Sequence, residues 1–185
     1  MNASLLMTLT LAVLLLANLG TKLWLATRQA RHVARHRDAV PSAFATAITL
    51  EAHRKAADYT LAKSRLAVWD IALEALLLLG WTLLGGLDWL NRTLLDLMGP
   101  GMVQQLALVL CFVLIGGLLS LPLSLYQTFV VEQRFGFNKM TWGLWLSDLI
   151  KGLVLGLVLG LPIVWLILWL MAAGGNLWWL WAWAA

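Results

Sequence analysis

The 185-residue chain has little of what covers a soluble domain: 12% of its residues are charged, against 62% hydrophobic. A water-soluble globular fold is excluded by that balance. Cysteine occurs once, as Cys111 inside an apolar run, which rules out a disulfide framework and a cysteine-based zinc pattern and leaves it as a packing residue. Proline occurs four times and histidine three times. Between 43 and 79 there is neither proline nor glycine, so nothing there stops a helix. The net charge of +4, from 13 basic and 9 acidic residues, does not indicate nucleic acid, because the basic residues cluster beside apolar runs, where they act as topology determinants.

What is present is long uncharged sequence. The runs 1–21, 97–131 and 152–185 are each long enough to cross a bilayer. The expected fold is all-α, a polytopic transmembrane helical bundle with four complete spans at about 4–26, 66–87, 102–126 and 149–173, and the start of a fifth at 177–185. Lys22 interrupts the first span and is expected to snorkel to the interface beside Trp24. A cleaved signal peptide fits poorly, since the charges follow the apolar run. Pro41-Ser42 reads as the start of a long helix whose first part, to Arg65, projects into water. The stretch 87–100 reads as a short connection broken by Gly99-Pro100-Gly101. Pro122 is expected to kink the third span, and 140–147 to form an interfacial turn. Gly152, Gly156 and Gly160 form a small-residue stripe that permits close helix approach. The last nine residues cover only ~13 Å as helix, so the sequence reads as a domain cut from a longer protein or an incomplete product.

Three places carry residues with chemical potential. His32-Val-Ala-Arg-His36 has the spacing of a zinc-binding HExxH helix, but Val33 stands where the carboxylate is needed and Arg28, Arg31, Arg35 and Arg37 surround the pair. It reads as a juxtamembrane basic segment facing anionic lipid. His53 reads as a surface histidine. Asp70 and Glu74, one turn apart within the second span, are candidates to line a water-filled cavity; the alternative is an interfacial position near Lys63 or Arg65. Finally, 126–139 reads YQTFVVEQRFGFNK, where Glu132, Arg134 and Lys139 bracket Phe135, Gly136, Phe137 and Asn138. Two aromatics around a glycine able to take positive φ describe a tight turn at a membrane surface.

That stretch, continued by Thr141, Trp142, Asp148 and Lys151, resembles the N-terminal membrane domain of the type 1 CAAX prenyl protease family, membrane-embedded zinc metallopeptidases. The stretch 41–65, with Phe44, Glu51, His53, Lys55, Asp58, Tyr59 and Lys63, resembles the same family. The resemblance implies helices around an intramembrane chamber, zinc held by an HExxH helix and a later glutamate, and cleavage of CAAX-type or other membrane-associated proteins. This chain contains no HExxH. Its implied share is chamber wall and a docking loop (Glu132, Arg134, Phe135, Gly136, Phe137, Asn138, Lys139) for a catalytic domain, with no cofactor of its own and zinc expected in the missing half. Implied partners are the bilayer, that catalytic domain and a membrane-associated protein or peptide substrate; nucleic acid is not among them. The competing reading is a non-catalytic membrane scaffold. A transporter fits less well, because no internal repeat of broken helices is visible.

Orientation follows from charge. The connection 27–65 holds Arg28, Arg31, Arg35, Arg37, Arg54, Lys55, Lys63 and Arg65, whereas the next holds Arg92. The positive-inside rule places 27–65 and 127–148 in the cytoplasm and the N-terminus outside, in a bacterial inner membrane or its equivalent. With Cys111 replaced, single cysteines at Asp38 and Asn138 should resist a membrane-impermeant thiol reagent in intact cells, and one at Asn91 should react. Labelling of the first two from outside would reverse the orientation.

Overall fold

The computed structural model describes residues 3–184, and all regular structure among them is helical. In chain order the helices are α1 (Ala3–Arg35), α2 (Leu50–Thr82), α3 (Gly86–Met98), α4 (Met102–Tyr126), α5 (Trp142–Ala173) and α6 (Trp178–Ala184). Leu5–Arg35, Met102–Glu132 and Trp142–Ala173 are long and apolar enough to cross a bilayer, and α2 with α3 adds a fourth crossing if the two count as one broken span. Hydrocarbon offers no partner to a peptide group, so apolar sequence of this length must satisfy its backbone internally, as helix. The fold is the expected all-α polytopic one. Ala185, the last residue of the expected fifth span, lies outside the described residues; α6 supplies seven residues of that span.

The boundaries differ from the sequence expectation in instructive ways. The basic stretch after the first span is not a separate segment, because α1 continues through it to Arg35. Its 33 residues extend ~50 Å, well beyond a ~30 Å hydrocarbon core, so its basic end reaches water. The long second helix starts at Thr49, not Ser42. Ser42–Phe44 forms a single 3-10 turn with no side-chain cap, whereas Thr49 sits extended and its hydroxyl accepts the Ala52 N–H at 3.2 Å, with Glu51 in the first turn. A hydroxyl cap of this kind contributes about 1 kcal/mol, and the acidic residue complements the helix dipole. α2 ends at Thr82 instead of 87, where Gly85 turns the chain at φ +78°.

The stretch 87–100 is helical as far as Met98, not an irregular connection. In α3, Leu90 and Leu94 are buried one turn apart while Asp88, Arg92 and Asp96 are exposed, and Arg92 pairs with Asp88 at 2.8 Å. The polar residues that suggested a loop are the wet side of an amphipathic helix. Gly99, at φ +72°, closes it. Thr141 caps α5 by accepting the Leu144 N–H at 3.2 Å, so 142–147 is the first turns of the fourth span itself. The glycine stripe at Gly152, Gly156 and Gly160 is open: a Cβ added at any of them would meet nothing within 4 Å.

The chain forms two compact units, one comprising the sequence up to Gly85 together with Leu118–Lys139, the other Gly86–Gly117 with the chain from Met140 onward. In the first, α1 packs along α2, and the continuation of α4 returns to α2. Ala57, Leu66 and Val131 are its buried apolar residues. In the second, the start of α4 is tied to α3 by Gln104, whose Nε2 donates to Asn91 Oδ1 at 2.8 Å. Gln104 is only 5% exposed, so this bond satisfies an amide that burial would otherwise penalise by about 1–3 kcal/mol.

Candidate functional site

The site is built where α4 leaves its regular course. Beyond Tyr126 the helix widens into a π-helical turn, Gln127–Glu132, a geometry that is rare and frequent at functional positions. It then stops at Gly136, which takes φ +76°; the Phe137 and Asn138 N–H groups both donate to Glu132 O, at 2.9 and 3.2 Å, and the Gly136 N–H to Gln133 O at 3.0 Å. This is a Schellman ending, and the left-handed residue it needs is the glycine anticipated from the sequence.

The turn brings Phe135 and Phe137 to the same tyrosine. Tyr59 of α2 meets both rings edge-on, with centroids 5.5 Å from Phe135 and 4.8 Å from Phe137. One turn to either side, Lys55 Nζ lies 5.5 Å from the Phe137 ring and Lys63 Nζ 5.4 Å from the Tyr59 ring. Lys55, Tyr59 and Lys63 recur every four residues and so share one face of α2. Phe135 is half-buried and Phe137 remains 52% exposed. Two stretches far apart in sequence, 41–65 and 126–139, therefore meet in one aromatic and cationic cluster.

Next to Tyr59, Asp58 receives both arms of a guanidinium: Arg37 donates from Nε to Oδ1 at 2.6 Å and from Nη2 to Oδ2 at 2.8 Å. Arg37 Nη1 also donates to Asp38 at 3.3 Å, and Asp38 accepts from Arg54 Nε at 2.7 Å. The Arg37 hydrogen bonds hold the Asp58 carboxyl below the usual carboxylate range, with the charges of Arg37, Arg134 and Arg54 acting in the same direction against partial desolvation. Arg37 is correspondingly raised by Asp58. Arg134 thus joins the 133–139 turn to this cluster electrostatically.

The histidines come closer than their sequence positions implied. The rings of His32 and His36 lie 4.3 Å apart, tilted by 36°, on one face of the chain, as their spacing required. His53, which nothing in the sequence placed beside them, approaches His36: its Nε2 lies 2.9 Å from His36 O. A carbonyl only accepts, so Nε2 carries the proton there, and His36 Nδ1 is likewise committed to His32 O at 2.8 Å. Among the described residues no group of three or more His, Cys, Asp or Glu side chains could hold a metal ion. His36 and His53 each hold a backbone carbonyl with a ring nitrogen, and the three histidines do not converge as a ligand set.

Of the carboxylates Asp70 and Glu74, Glu74 pairs with Lys22 of α1, Nζ to Oε2 at 2.6 Å, and both Lys22 and Glu74 line a 140 Å³ cleft between α1 and α2. The partner of Glu74 is thus Lys22, and neither Lys63 nor Arg65. Asp70 is exposed one turn away. Sequence reasoning missed Arg37–Asp58 and the Tyr59 contact, since no periodicity links residues on different helices. The Thr-x-Glu pattern at 49–51 was the available signal for the true start of α2.

These features define a polytopic helical membrane protein whose water-facing cluster joins α2 to the end of α4. A family model described as "CAAX prenyl protease N-terminal, five membrane helices" matches residues 29–185. The chain is 32% identical over 170 residues to the human CAAX prenyl protease 1 homolog, covering 86% of this chain and 35% of that protein. It is 36% identical over 117 residues to CAAX prenyl protease 1 of Saccharomyces cerevisiae, covering 56% of this chain and 25% of the yeast protein. The crystal structure of S. mikatae Ste24p superposes with a TM-score of 0.81 at 26% identity, over 90% of this chain and 40% of that one. The chain belongs to the CAAX prenyl protease N-terminal family, and it spans about a third of the length of its human relative.

Two outcomes test the cluster. Tyr59→Ala removes two edge-to-face pairs, each worth about 0.5–1.5 kcal/mol, and should make the 133–139 turn several-fold more sensitive to limited proteolysis, whereas Tyr59→Phe should not. For Asp58 the folded-state pKa is depressed, so the stabilisation is fully present above the ordinary carboxylate value of about 3.9 and is lost as pH falls through the lowered folded value. Thermal midpoints measured from neutral pH downward should therefore drop in that acid window, and Asp58→Asn should flatten the drop. An equally steep drop in the variant would assign it to other groups.

Proposed function

We propose that this chain is the N-terminal membrane part, residues 1–185, of a zinc metalloendopeptidase that processes CAAX-type or other membrane-associated proteins. It supplies chamber walls and a docking surface, and the zinc belongs to a catalytic half carried outside these residues. The observation that carries this reading is the packing of 41–65 against 126–139 through Tyr59, Phe135 and Phe137, since these are the stretches that resemble the family.

The loop Glu132, Arg134, Phe135, Gly136, Phe137, Asn138 and Lys139 docks the catalytic half in this reading. Phe135 and Gly136 serve it indirectly by fixing the turn, and the exposed side of Phe137 with Lys139 offers the contact. Asp70 and Glu74 line the intramembrane chamber, with Glu74 held in place by Lys22. The N-terminus lies outside and the cluster in the cytoplasm of a bacterial inner membrane or its equivalent, which the basic content of 27–65 supports.

The expected outcome is that the purified chain, after mild chelation, retains substoichiometric zinc and hydrolyses no CAAX-type peptide, and that an HExxH-bearing catalytic half supplied in trans restores hydrolysis. Phe135→Ala with Phe137→Ala should lower the restored activity while leaving membrane insertion intact. Stoichiometric zinc lost on replacing His32 and His36 by alanine would overturn the assignment of zinc to the other half. Unchanged activity in the double phenylalanine variant would remove the docking role.

A further inference from the structure

Pro122 lies inside the last part of α4 and the π-helical turn follows it, and on the side toward α2 a groove of about 540 Å³ opens beside them. Its walls include Trp69, Pro122, Leu123 and Tyr126, and the charged residues lining it are Arg65 and Arg134, with no carboxylate among the described lining residues. Neither guanidinium forms a hydrogen bond or ion pair with a described residue, although Arg134 is near enough to Asp58 to depress its carboxyl; both oxygens of Asp58 are taken by Arg37. Both arginines are exposed. Arg65 is the last basic residue of α2 before its apolar stretch, which sets it at headgroup depth. Trp69 and Tyr126, 70% and 51% exposed, are the aromatic types that favour that depth.

We propose that this groove binds one anionic phospholipid, its phosphate held by Arg65 and Arg134 and an acyl chain lying along Trp69, Tyr126, Pro122 and Leu123. The charge selects the ligand. Unpaired guanidinium forks match phosphate oxygens geometrically, and a headgroup with net negative charge offsets part of the combined charge of the two arginines, which a zwitterionic one would not. The apolar walls distinguish a lipid from a soluble phosphate, which would bury no hydrocarbon.

The test is native mass spectrometry of the purified full chain after exchange into phosphatidylcholine containing a minor fraction of phosphatidylglycerol. One phosphatidylglycerol per chain should be retained in preference to phosphatidylcholine. Arg65→Gln with Arg134→Gln should reduce that retention about tenfold or more. Trp69→Ala should also weaken it, with the arginines intact. Replacing Arg28, Arg31 and Arg35 by glutamine, which removes more charge from the end of α1, should leave it unchanged, and inorganic phosphate should not displace the lipid. Absence of any preference in the unaltered chain overturns the proposal without reference to a variant, as does equal loss in the α1 triple variant, which would mean diffuse attraction. Displacement by inorganic phosphate would overturn it in favour of a simple anion site.

Discussion

The water-facing part of the first unit depends on two consecutive residues of α2, Asp58 and Tyr59. Asp58 takes a two-armed hydrogen bond from Arg37, beyond the end of α1, and Tyr59 takes the rings of Phe135 and Phe137, beyond the end of α4. Two stretches of chain far apart in sequence are thereby fixed to one turn of α2. An exposed ion pair alone would contribute little. This one has two-point geometry and sits beside an aromatic cluster that excludes part of the surrounding water, and the combination orders segments that would otherwise be free connections.

The bilayer explains why so much of the remaining structure is plain helix and why its irregularities are informative. Side chains along the spans are solvated by lipid, so the buried residues are few and concentrate where helices meet: Ala57, Leu66 and Val131 in one unit, Leu90, Leu94 and Gln104 in the other. Against that background, a proline at 122 followed by a π-helical turn is a departure concentrated at one end of one helix. It changes the direction in which 130–135 present their side chains, and this is what brings Phe135 to Tyr59 and places Arg134 and Arg65 on a common groove. Lys22 and Glu74 show the same economy, each charge finding the other across two helices.

Membership of the CAAX prenyl protease N-terminal family fits this arrangement, in which the chain's polar chemistry is spent on holding its own elements together. The three histidines illustrate it. His36 and His53 direct ring nitrogens to backbone carbonyls, and no third ligand converges on them among the described residues. The nearest thing to a metal motif in the sequence is thus part of the joint between the end of α1 and the start of α2.

How much of this was legible beforehand differs by kind of interaction. The sequence by itself determined the membrane class, the all-α fold, the positions of the apolar runs, the glycine at 136 and the side-by-side histidines at 32 and 36, because each depends on hydropathy or on spacing within one helix. It left 87–100 looking like a connection, since polar residues on one side of a short helix resemble a loop when counted without their periodicity. It offered Lys63 or Arg65 as neighbours of Glu74, foresaw no carboxylate for Lys22 and assigned Tyr59 no contact. Those were decided only by tertiary structure. Which charge meets which, and which ring packs on which, depends on the rotation and depth of neighbouring helices, and no local pattern encodes the distance between residues 37 and 58 or between 59 and 137.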